Sequence, residues 1–585
     1  MNKSRDIVNT DKNQITATSG LNRLINSKLA VLTGGLSPIA LHLAFTDWLA
    51  HLAISQDERL ALIKEAGNLT FEFTSKVLQS AISNEGSMGG GLSGDKRFSN
   101  PAWASWPFNV FSQYFLMEQY WWDMATSHVP GVSKHHEEVV KFMTRQLLDI
   151  TSPANFILTN PEVVQHTIRE GGVNLIHGFY NLIDRVNRIQ NKLPPLGSEN
   201  FEVGKQLAIT PGKVVYKNRL IELIQYEPTT KKVYEKPILI VSAWIMKYYI
   251  LDLSPTNSLI KYLVDKGHTV FAVSWINPDS EHRDLGIEDY LELGIMEALD
   301  AINAIVPNKQ IHGVGYCLGG TLLSIAAATL GGRKDGRFAS ISTFTTQVDF
   351  TEPGELSIFI DESQIAFLED IMWEKGYLDS KHMNGAFQLL NSTDLLWSRI
   401  IKNYMMGQTQ ELNDLSAWNS DGTRLPYRMH SEYLRQLFLN NDLASGRYRV
   451  GNEPIALTNI HCPIFAVATV QDHIAPWKSV YKIHLLTDAE VTFVLTSGGH
   501  NVGIVNPPGV AGRSFQALTR PQGADYVDPA RWQADAPSHE GSWWPHWASW
   551  LESRSGKLIN PPSMGAPKAG YEVIMDAPGS YVHIR

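Results

Sequence analysis

The chain has 585 residues and a formal net charge of -9, and 43% of its residues are hydrophobic. Because one hydrophobic core stops growing at roughly 250–300 residues, this length predicts two or three domains. The negative charge and the lack of a block of lysine and arginine exclude nucleic acid as the main partner.

The first residues are polar, and no apolar run approaches the roughly 20 residues of a membrane-spanning helix. The sequence therefore predicts a cytoplasmic protein without a signal peptide or a transmembrane segment. Its two cysteines, Cys317 and Cys462, cannot build a disulfide framework, and a reducing compartment would keep a thiol available for chemistry. Residues 1–25 show no hydrophobic periodicity and are predicted to be disordered.

Residues 26–200 are predicted to form a mostly helical domain, because apolar residues recur there at helical spacing. In residues 201–585, short apolar strands alternate with helical segments. This alternation predicts an α/β domain whose mostly parallel sheet is covered by helices on both faces. The predicted strands are 213–216, 220–226, 238–243, 269–274, 310–316, 340–344, 464–468 and 491–495.

Cys317 lies in the segment IHGVGYCLGG (311–320), where a predicted strand enters a helix of small residues. The spacing matches the nucleophile elbow G-x-S-x-G, with sulfur in place of the serine oxygen. Glycines at 315 and 319 leave room for neighbouring backbone at so tight a turn, which holds the nucleophile in a strained conformation. The turn also places the nucleophile at the positive end of the following helix, where the N–H of Leu318 can serve as an oxyanion donor.

An elbow of this kind predicts the α/β-hydrolase fold, in which an acid follows a later strand and a histidine lies nearer the C-terminus. Asp472 follows the strand 464–468, and His500 follows the strand 491–495 in a glycine-flanked loop. The predicted catalytic residues are therefore Cys317, Asp472 and His500.

The predicted roles follow from acidity. A free thiol has a pKa of about 8.5, which a neighbouring imidazole and a helix N-terminus lower, so His500 would take the proton of Cys317. Asp472 would either hold the other nitrogen of His500 or assist proton removal from an incoming hydroxyl.

The stretch 351–449 interrupts the strand–helix alternation with helical, aromatic-rich sequence. It lies between the nucleophile and the later strands, which is where α/β-hydrolases insert a lid. We therefore predict that the catalytic domain, 201–585, carries a lid or cap at 351–449.

Other side chains compete for a role in the site. His473 is a weaker candidate for the base, because its adjacency to Asp472 points its side chain elsewhere. Cys462 at a strand entrance fits a packing residue, and His312 on a predicted strand fits a core histidine. No cysteine or histidine pair has convincing metal-ligand spacing, so no metal is predicted.

Several segments resemble the polyhydroxyalkanoate synthases, most closely the class I enzymes, which work without a second type of subunit. The segments GYCLGG (315–320) and WIMKYYILDL (244–253) resemble that family's G-x-C-x-G-G and W-I-x-K-Y-Y-I-L-D-L motifs. Further similar segments are LSAWN (415–419), DHIAPW (472–477), GGHN (498–501), GSWWP (541–545), PGSYV (578–582), 98–103 and 152–160. One departure is VSAW (241–244), where the family commonly has V-P-P-W.

The resemblance implies that Cys317 attacks the thioester of an (R)-3-hydroxyacyl-CoA, expels CoA and holds the acyl group. The 3-hydroxyl of one unit then attacks the thioester of another and lengthens a polyester. The CoA thioester is the substrate, and no cofactor is implied. The implied partners are the growing polyester, the surface of polyester granules and a second copy of the chain in a homodimer. Trp244, Ile245 and Tyr249, in the motif at 244–253, become candidate oxyanion or substrate residues.

Two other functions fit part of the pattern. A cysteine-dependent acyl-CoA thioesterase of the same fold would use the same three residues but would release free acid. A non-catalytic granule-surface protein would need only apolar surface, and the intact catalytic set argues against it. Acyl chain length is open, because one methylene is worth only about 1–3 kcal/mol of discrimination; the resemblance favours short 3-hydroxyacyl units.

Overall fold

The computed structural model describes residues 23, 25–30, 33, 35–83, 94–191, 193–383, 385, 396–409 and 412–585. The disorder predicted for residues 1–25 lies outside the described residues, apart from positions 23 and 25. The described residues group into two compact units. We call them the helical unit, which takes its residues from 32–196 and 384–411, and the sheet unit, which takes its residues from 1–31, 197–383 and 412–585.

The helical unit is built mainly of long helices with polar caps. Ser37 and Ser133 each accept a backbone N–H from the first turn of the helix that follows, as N-cap residues do. Trp48 ties two helices together by donating its indole N–H to the carbonyl of Ala125 at 2.9 Å. The helices are α1 (Pro38–Ile54), α2 (Gln56–Ser83), α3 (Phe108–Thr126), α4 (Lys134–Ile150), α5 (Pro161–Arg169) and α6 (Val173–Gln190).

Part of the stretch predicted to be a lid belongs to the helical unit. A short helix, Ser398–Ile400, continues into the π-helical turn Ile401–Met405. Asn174 of α6 donates its side-chain amide to the carbonyl of Met405 at 2.7 Å, and Asn181 donates to the carbonyl of Asn403 at 3.0 Å. Helix α6 therefore holds this segment by its backbone.

The sheet unit contains, within the described part of the chain, an eleven-stranded mixed sheet. Its spatial order is β10-β9-β8-β7-β6-β5-β3-β4-β2-β1-β11; the six strands from β8 to β4 are parallel, and the outer strands pair antiparallel. The strands are β1 (Gly212–Lys217), β2 (Ile221–Tyr226), β3 (Ile238–Val241), β4 (Val270–Trp275), β5 (Ile311–Tyr316), β6 (Phe338–Phe344), β7 (Ile464–Thr469), β8 (Val491–Thr496), β9 (Ser514–Arg520), β10 (Ser538–Glu540) and β11 (Met575–Asp576).

The central strands are buried along almost their whole length, as expected of parallel strands covered on both faces. Successive side chains enter opposite cores: Leu239 packs into one hydrophobic cluster and Ile240 into the other. The predicted strands correspond to β1–β8, which confirms the predicted α/β class. The outer strands β9, β10 and β11 were not predicted, because their mixed polar and apolar residues carry little burial signal.

Helices and short turns cover the sheet. The helices are α7 (Leu259–Asp265), α8 (Glu297–Ile305), α9 (Leu318–Gly332), α10 (Glu362–Lys375), α11 (Asp414–Asn419), α12 (Tyr427–Glu432), α13 (Trp477–Tyr481), α14 (Pro529–Asp535) and α15 (Trp544–Glu552). Two π-helical turns, Tyr290–Met296 and Tyr433–Leu439, extend neighbouring helices. None of the helices in the described part of the chain is both long enough and apolar enough to span a membrane.

Candidate active site

Cys317 occupies the turn between β5 and α9. Its backbone has φ 53° and ψ -122°, a conformation that non-glycine residues adopt at a cost of order 1–3 kcal/mol. The turn is held in place because the N–H of Cys317 donates to the carbonyl of Phe344, at the end of β6, at 2.9 Å. The strained elbow expected from the glycine spacing is therefore present.

The glycines of the elbow are required by close backbone contacts. A Cβ on Gly315 would overlap the backbone of Gly320, and a Cβ on Gly319 would overlap the carbonyls of Val241 and Ser242. The first turn of α9 thus lies directly against the loop that follows β3. This contact brings the N–H of Leu318 and the residues after Val241 to one end of the sheet.

The contact predicts the effect of Gly319→Ala. The added methyl group meets backbone atoms, which cannot rotate away, so the loop after β3 must shift. We expect the catalytic rate to fall about tenfold or more, because a misplacement of about 1 Å can cost as much as 10²-fold in rate. Gly336→Ala is the matched control, since a Cβ there meets nothing within 4 Å. Equal activity of the two variants would contradict this reading of the elbow.

Asp472 follows β7 and is buried. Its Oδ2 lies 2.8 Å from Nδ1 of His500, while its Oδ1 accepts the backbone N–H groups of Ile474 and Ala475 at 2.9 and 2.8 Å. Burial alone would raise the pKa of this carboxyl, but the charge of His500 and these hydrogen bonds lower it below 3.8. Asp472 is therefore an ionised group whose two oxygens are both engaged.

His500 follows β8 and faces both other predicted catalytic residues. Its Nδ1 is hydrogen-bonded to Asp472, and its imidazole is close enough to Cys317 for the sulfur to affect its pKa. Burial alone would lower the pKa of the imidazole, but the Asp472 carboxylate and the Cys317 sulfur raise it to about 10. A raised pKa makes His500 a strong base beside the thiol. The structure thus brings Cys317, His500 and Asp472 into one connected line.

The loop that carries His500 is anchored by two tryptophans from the segment GSWWP. The indole N–H of Trp543 donates to the carbonyl of Gly503, and that of Trp544 donates to the carbonyl of Ile504, each at 2.9 Å. Both tryptophan side chains are almost fully buried. The sequence contained these residues in a recognisable motif, but their anchoring role depends on a contact across 40 positions.

The other predicted oxyanion or substrate residues lie in and after the loop that follows β3. The carbonyl of Trp244 accepts the hydroxyl of Thr423 at 2.5 Å, and the indole of Trp244 packs against Trp275 and Tyr290. Ile245 is partly buried at the same core. These contacts place the two residues beside the contact between α9 and the loop.

Tyr249 lies further along this segment, in the helical turn Tyr248–Leu251, and is buried. Its hydroxyl donates to Asp421 Oδ2 at 2.9 Å, and Trp418 donates its indole N–H to the carbonyl of Lys247 at 2.8 Å. Residues 418–423 of the predicted lid therefore brace the loop after β3.

Lys247 was not singled out from the sequence, yet it is 98% buried, at a relative exposure of 2%. Its ammonium donates to the carbonyls of Ile584 at 2.7 Å and Tyr581 at 3.3 Å. Burial lowers its pKa to about 8, with Asp421 opposing the shift. Lys247 thus joins the segment 581–584 to the loop after β3.

The buried position of Lys247 predicts that replacing its side chain lowers the stability of the protein. Lys247→Met keeps the length but removes two hydrogen bonds from a charged donor, although Asn277 still donates to the Ile584 carbonyl and the N–H of Ile584 to the Tyr581 carbonyl. The free energy of unfolding should fall by about 1–3 kcal/mol. Lys261→Met removes an exposed lysine paired with Asp265 and should change stability by under about 1 kcal/mol. Denaturant unfolding of both variants measures the difference. A Lys247→Met protein as stable as the wild type would show that the junction contributes nothing.

The competing residues occupy other environments. Of the two candidate bases, His500 is the one bonded to Asp472, whereas the carbonyl of His473 accepts the N–H of Glu355 at 3.0 Å. Burial raises the pKa of Cys462 to about 12, so this thiol is a poor nucleophile. Among the described residues, no group of three or more histidine, cysteine, aspartate and glutamate side chains could hold a metal ion.

The fold and the site geometry define an α/β-hydrolase-fold enzyme with cysteine at the nucleophile position. Family models agree with this description, because residues 236–507 match the alpha/beta hydrolase fold. Residues 94–263 match the N-terminus of poly-beta-hydroxybutyrate polymerase (PhaC), and residues 16–55 match a second N-terminal model of poly-beta-hydroxybutyrate polymerase. The chain belongs to the poly(3-hydroxyalkanoate) polymerase family.

Curated relatives establish that membership. The poly(3-hydroxyalkanoate) polymerase of Methylorubrum extorquens is 40% identical over 84% of this chain and 81% of its own. The polymerase subunit PhaC of Rhizobium meliloti (strain 1021) is 39% identical over 84% of this chain and 80% of its own. The polymerase subunit PhaC of Cupriavidus necator is 35% identical over 83% of this chain and 83% of its own. The α/β-hydrolase fold, the family and the acyltransferase class predicted from the sequence are thereby confirmed, and the thioesterase alternative gains no support.

Proposed function

We propose that this chain polymerises (R)-3-hydroxyacyl-CoA into a polyester with release of CoA, through an acyl thioester on Cys317. The observation that carries the proposal is the strained elbow at Cys317, in a chain of this family whose His500 is hydrogen-bonded to Asp472. Transfer of the acyl group from the CoA sulfur to the Cys317 sulfur changes the free energy little. Formation of an oxoester from a thioester is favourable and drives the two reaction steps forward.

In the loading step, His500 takes the proton of the Cys317 thiol, and the sulfur attacks the carbonyl carbon of the CoA thioester. Leu318 lies at the start of α9, where the first N–H groups have no intrahelical acceptor. Its N–H is therefore available to donate to the developing oxyanion. The bond from the carbonyl carbon to the CoA sulfur then breaks, and CoA leaves as a thiol with the proton held by His500.

In the elongation step, the 3-hydroxyl of one acyl unit attacks the thioester of another. A new C–O bond forms, the hydroxyl proton passes to His500, and the C–S bond to Cys317 breaks. We infer that Asp472 acts through His500 rather than on the hydroxyl itself. Its side chain is fully buried, with both oxygens engaged by His500 and the backbone, so no oxygen is free for substrate.

We further propose the finer assignments that the resemblance implied. The chain is a class I enzyme that acts on short acyl units without a cofactor. Its helical N-terminal domain is 26–200, its catalytic domain is 201–585, and residues 351–449 of the catalytic domain form the lid. It forms a homodimer and works in the cytoplasm at the surface of polyester granules. Trp244, Ile245 and Tyr249 shape the oxyanion and substrate region, and Lys247 and Asp421 hold that region in place.

The experiment is incubation of the purified chain with (R)-3-hydroxybutyryl-CoA, with free CoA and insoluble polyester followed together. CoA release matched by polymer supports the polymerase. Release of CoA with only free 3-hydroxybutyrate would make the protein a thioesterase. A parallel assay with (R)-3-hydroxyoctanoyl-CoA tests the chain-length assignment, because a preference for the longer unit would overturn it.

A further inference from the structure

A hydrogen bond between Tyr316 and Asn501 links the elbow to the loop that carries the candidate base. Tyr316 directly precedes Cys317, and Asn501 directly follows His500. The hydroxyl of Tyr316 donates to Oδ1 of Asn501 at 2.5 Å. Because Tyr316 and Asn501 are the chain neighbours of Cys317 and His500, this one hydrogen bond joins the two segments that carry the nucleophile and the base.

The ring of Tyr316 also packs on the imidazole. The two ring centroids are 5.8 Å apart with an interplanar angle of 46°, and Tyr316 is 3% exposed. Burial next to Cys317 and Asp472 raises the pKa of the Tyr316 phenol well above 10, so the hydroxyl remains a donor at every working pH. Its acceptor, Asn501, is supplied by the loop that the two tryptophans anchor.

A single hydrogen bond from His500 to Asp472 does not determine where the other imidazole nitrogen points. The imidazole can still rotate about that bond, and a displacement of about 1 Å can cost as much as 10²-fold in rate. Packing by Tyr316 removes this rotation, and its bond to Asn501 prevents the loop from moving away from the elbow. The result is a nucleophile and a base that hold their separation before substrate arrives.

We propose that Tyr316 and Asn501 are positioning residues that couple the elbow to the histidine loop and so keep His500 directed at the Cys317 sulfur. The expected effect on polymerisation rests on the proposed function. The expected effect on the Cys317 thiol does not rest on it, because the reactivity of the thiol toward a simple alkylating reagent depends on His500 whatever the natural reaction is.

The test compares Tyr316→Phe, Asn501→Ala and the double variant in a Cys462→Ala background, which leaves Cys317 as the one thiol. The rate of alkylation by iodoacetamide is measured from pH 5 to 10. We expect each single variant to lower the rate near pH 7 about fivefold or more and to move the pH profile toward that of His500→Gln. If the pair acts as a unit, the double variant is no slower than either single variant.

Tyr481→Phe is the matched control, because it also deletes one buried tyrosine hydroxyl, which donates to the carbonyl of Val527 at 2.9 Å. It should leave the alkylation profile unchanged even if it lowers the unfolding midpoint as much as Tyr316→Phe does. In the polymerase assay, Tyr316→Phe should lower kcat with little change in KM.

An alkylation profile of Tyr316→Phe that matches the wild type would overturn the proposal. So would additive effects in the double variant, since independent residues give additive effects. If the wild type makes no polymer but the alkylation profiles shift as expected, the proposed function fails and the positioning role stands.

Discussion

Cys317→Ala is expected to abolish both CoA release and polymer formation from (R)-3-hydroxybutyryl-CoA. Each proposed step passes through a bond to the sulfur, and no described thiol can replace it, since burial raises the pKa of Cys462 to about 12. Loss of an obligatory nucleophile in comparable enzymes costs on the order of 10⁶-fold. Free CoA and insoluble polyester measured in one reaction test the result.

Two controls make this outcome interpretable. Cys462→Ala should keep near wild-type activity, because its side chain lies at the entrance to β7 and takes no part in the proposed site. Acylated wild-type protein should carry added mass on the peptide with Cys317. A Cys317→Ala protein that still releases CoA at more than about a thousandth of the wild-type rate would rule out the covalent route.

Asp472→Asn is expected to slow elongation far more than loading. The substitution removes the charge that raises the pKa of His500, so the imidazole becomes a weaker base. A thiol, with a pKa of about 8.5, needs little help to ionise, whereas an alcohol is a far weaker acid and needs a strong base. Elongation should fall by about 10²–10⁴-fold. Rapid-quench measurement of the first CoA released, against steady-state polymer formation, separates the steps.

Equal slowing of both steps by Asp472→Asn would contradict this division. His500→Gln provides the reference, since it removes the base and should slow loading and elongation alike. A variant of Asp472 that left both steps intact would show that the carboxylate only supports the loop that it caps through Ile474 and Ala475.

The Asp472–His500 pair also predicts a pH dependence of stability. His500, with its pKa raised from 6.5 to about 10, contributes stability that is complete below 6.5 and is lost as pH rises through 10. Asp472, with its pKa lowered from 3.8, contributes stability that is present above 3.8 and is lost as pH falls further. The difference in unfolding free energy between wild type and Asp472→Asn should therefore be largest between pH 4 and 6.5 and shrink toward pH 10.

The positions of Cys317, Asp472 and His500 could be predicted from the sequence because each has a local signal. Each follows an apolar run of strand length, and glycines or a turn mark the point where the strand ends. Parallel neighbouring strands bring their carboxyl ends to one edge of the sheet, so three distant segments were expected to meet there. The hydrophobic pattern likewise predicted β1–β8, whose residues are buried on one or both faces.

The sequence alone thus determined the fold class, the nucleophile and the chemistry that a cysteine elbow with a histidine and an acid can perform. The tertiary structure decided what holds that site in place. Lys247 meets Ile584 across 337 positions, Tyr316 meets Asn501 across 185, and residues 398–405 pack with the helical unit rather than with the sheet. No local pattern specifies such pairings, because a hydrogen bond between distant segments depends on the path of the whole chain between them.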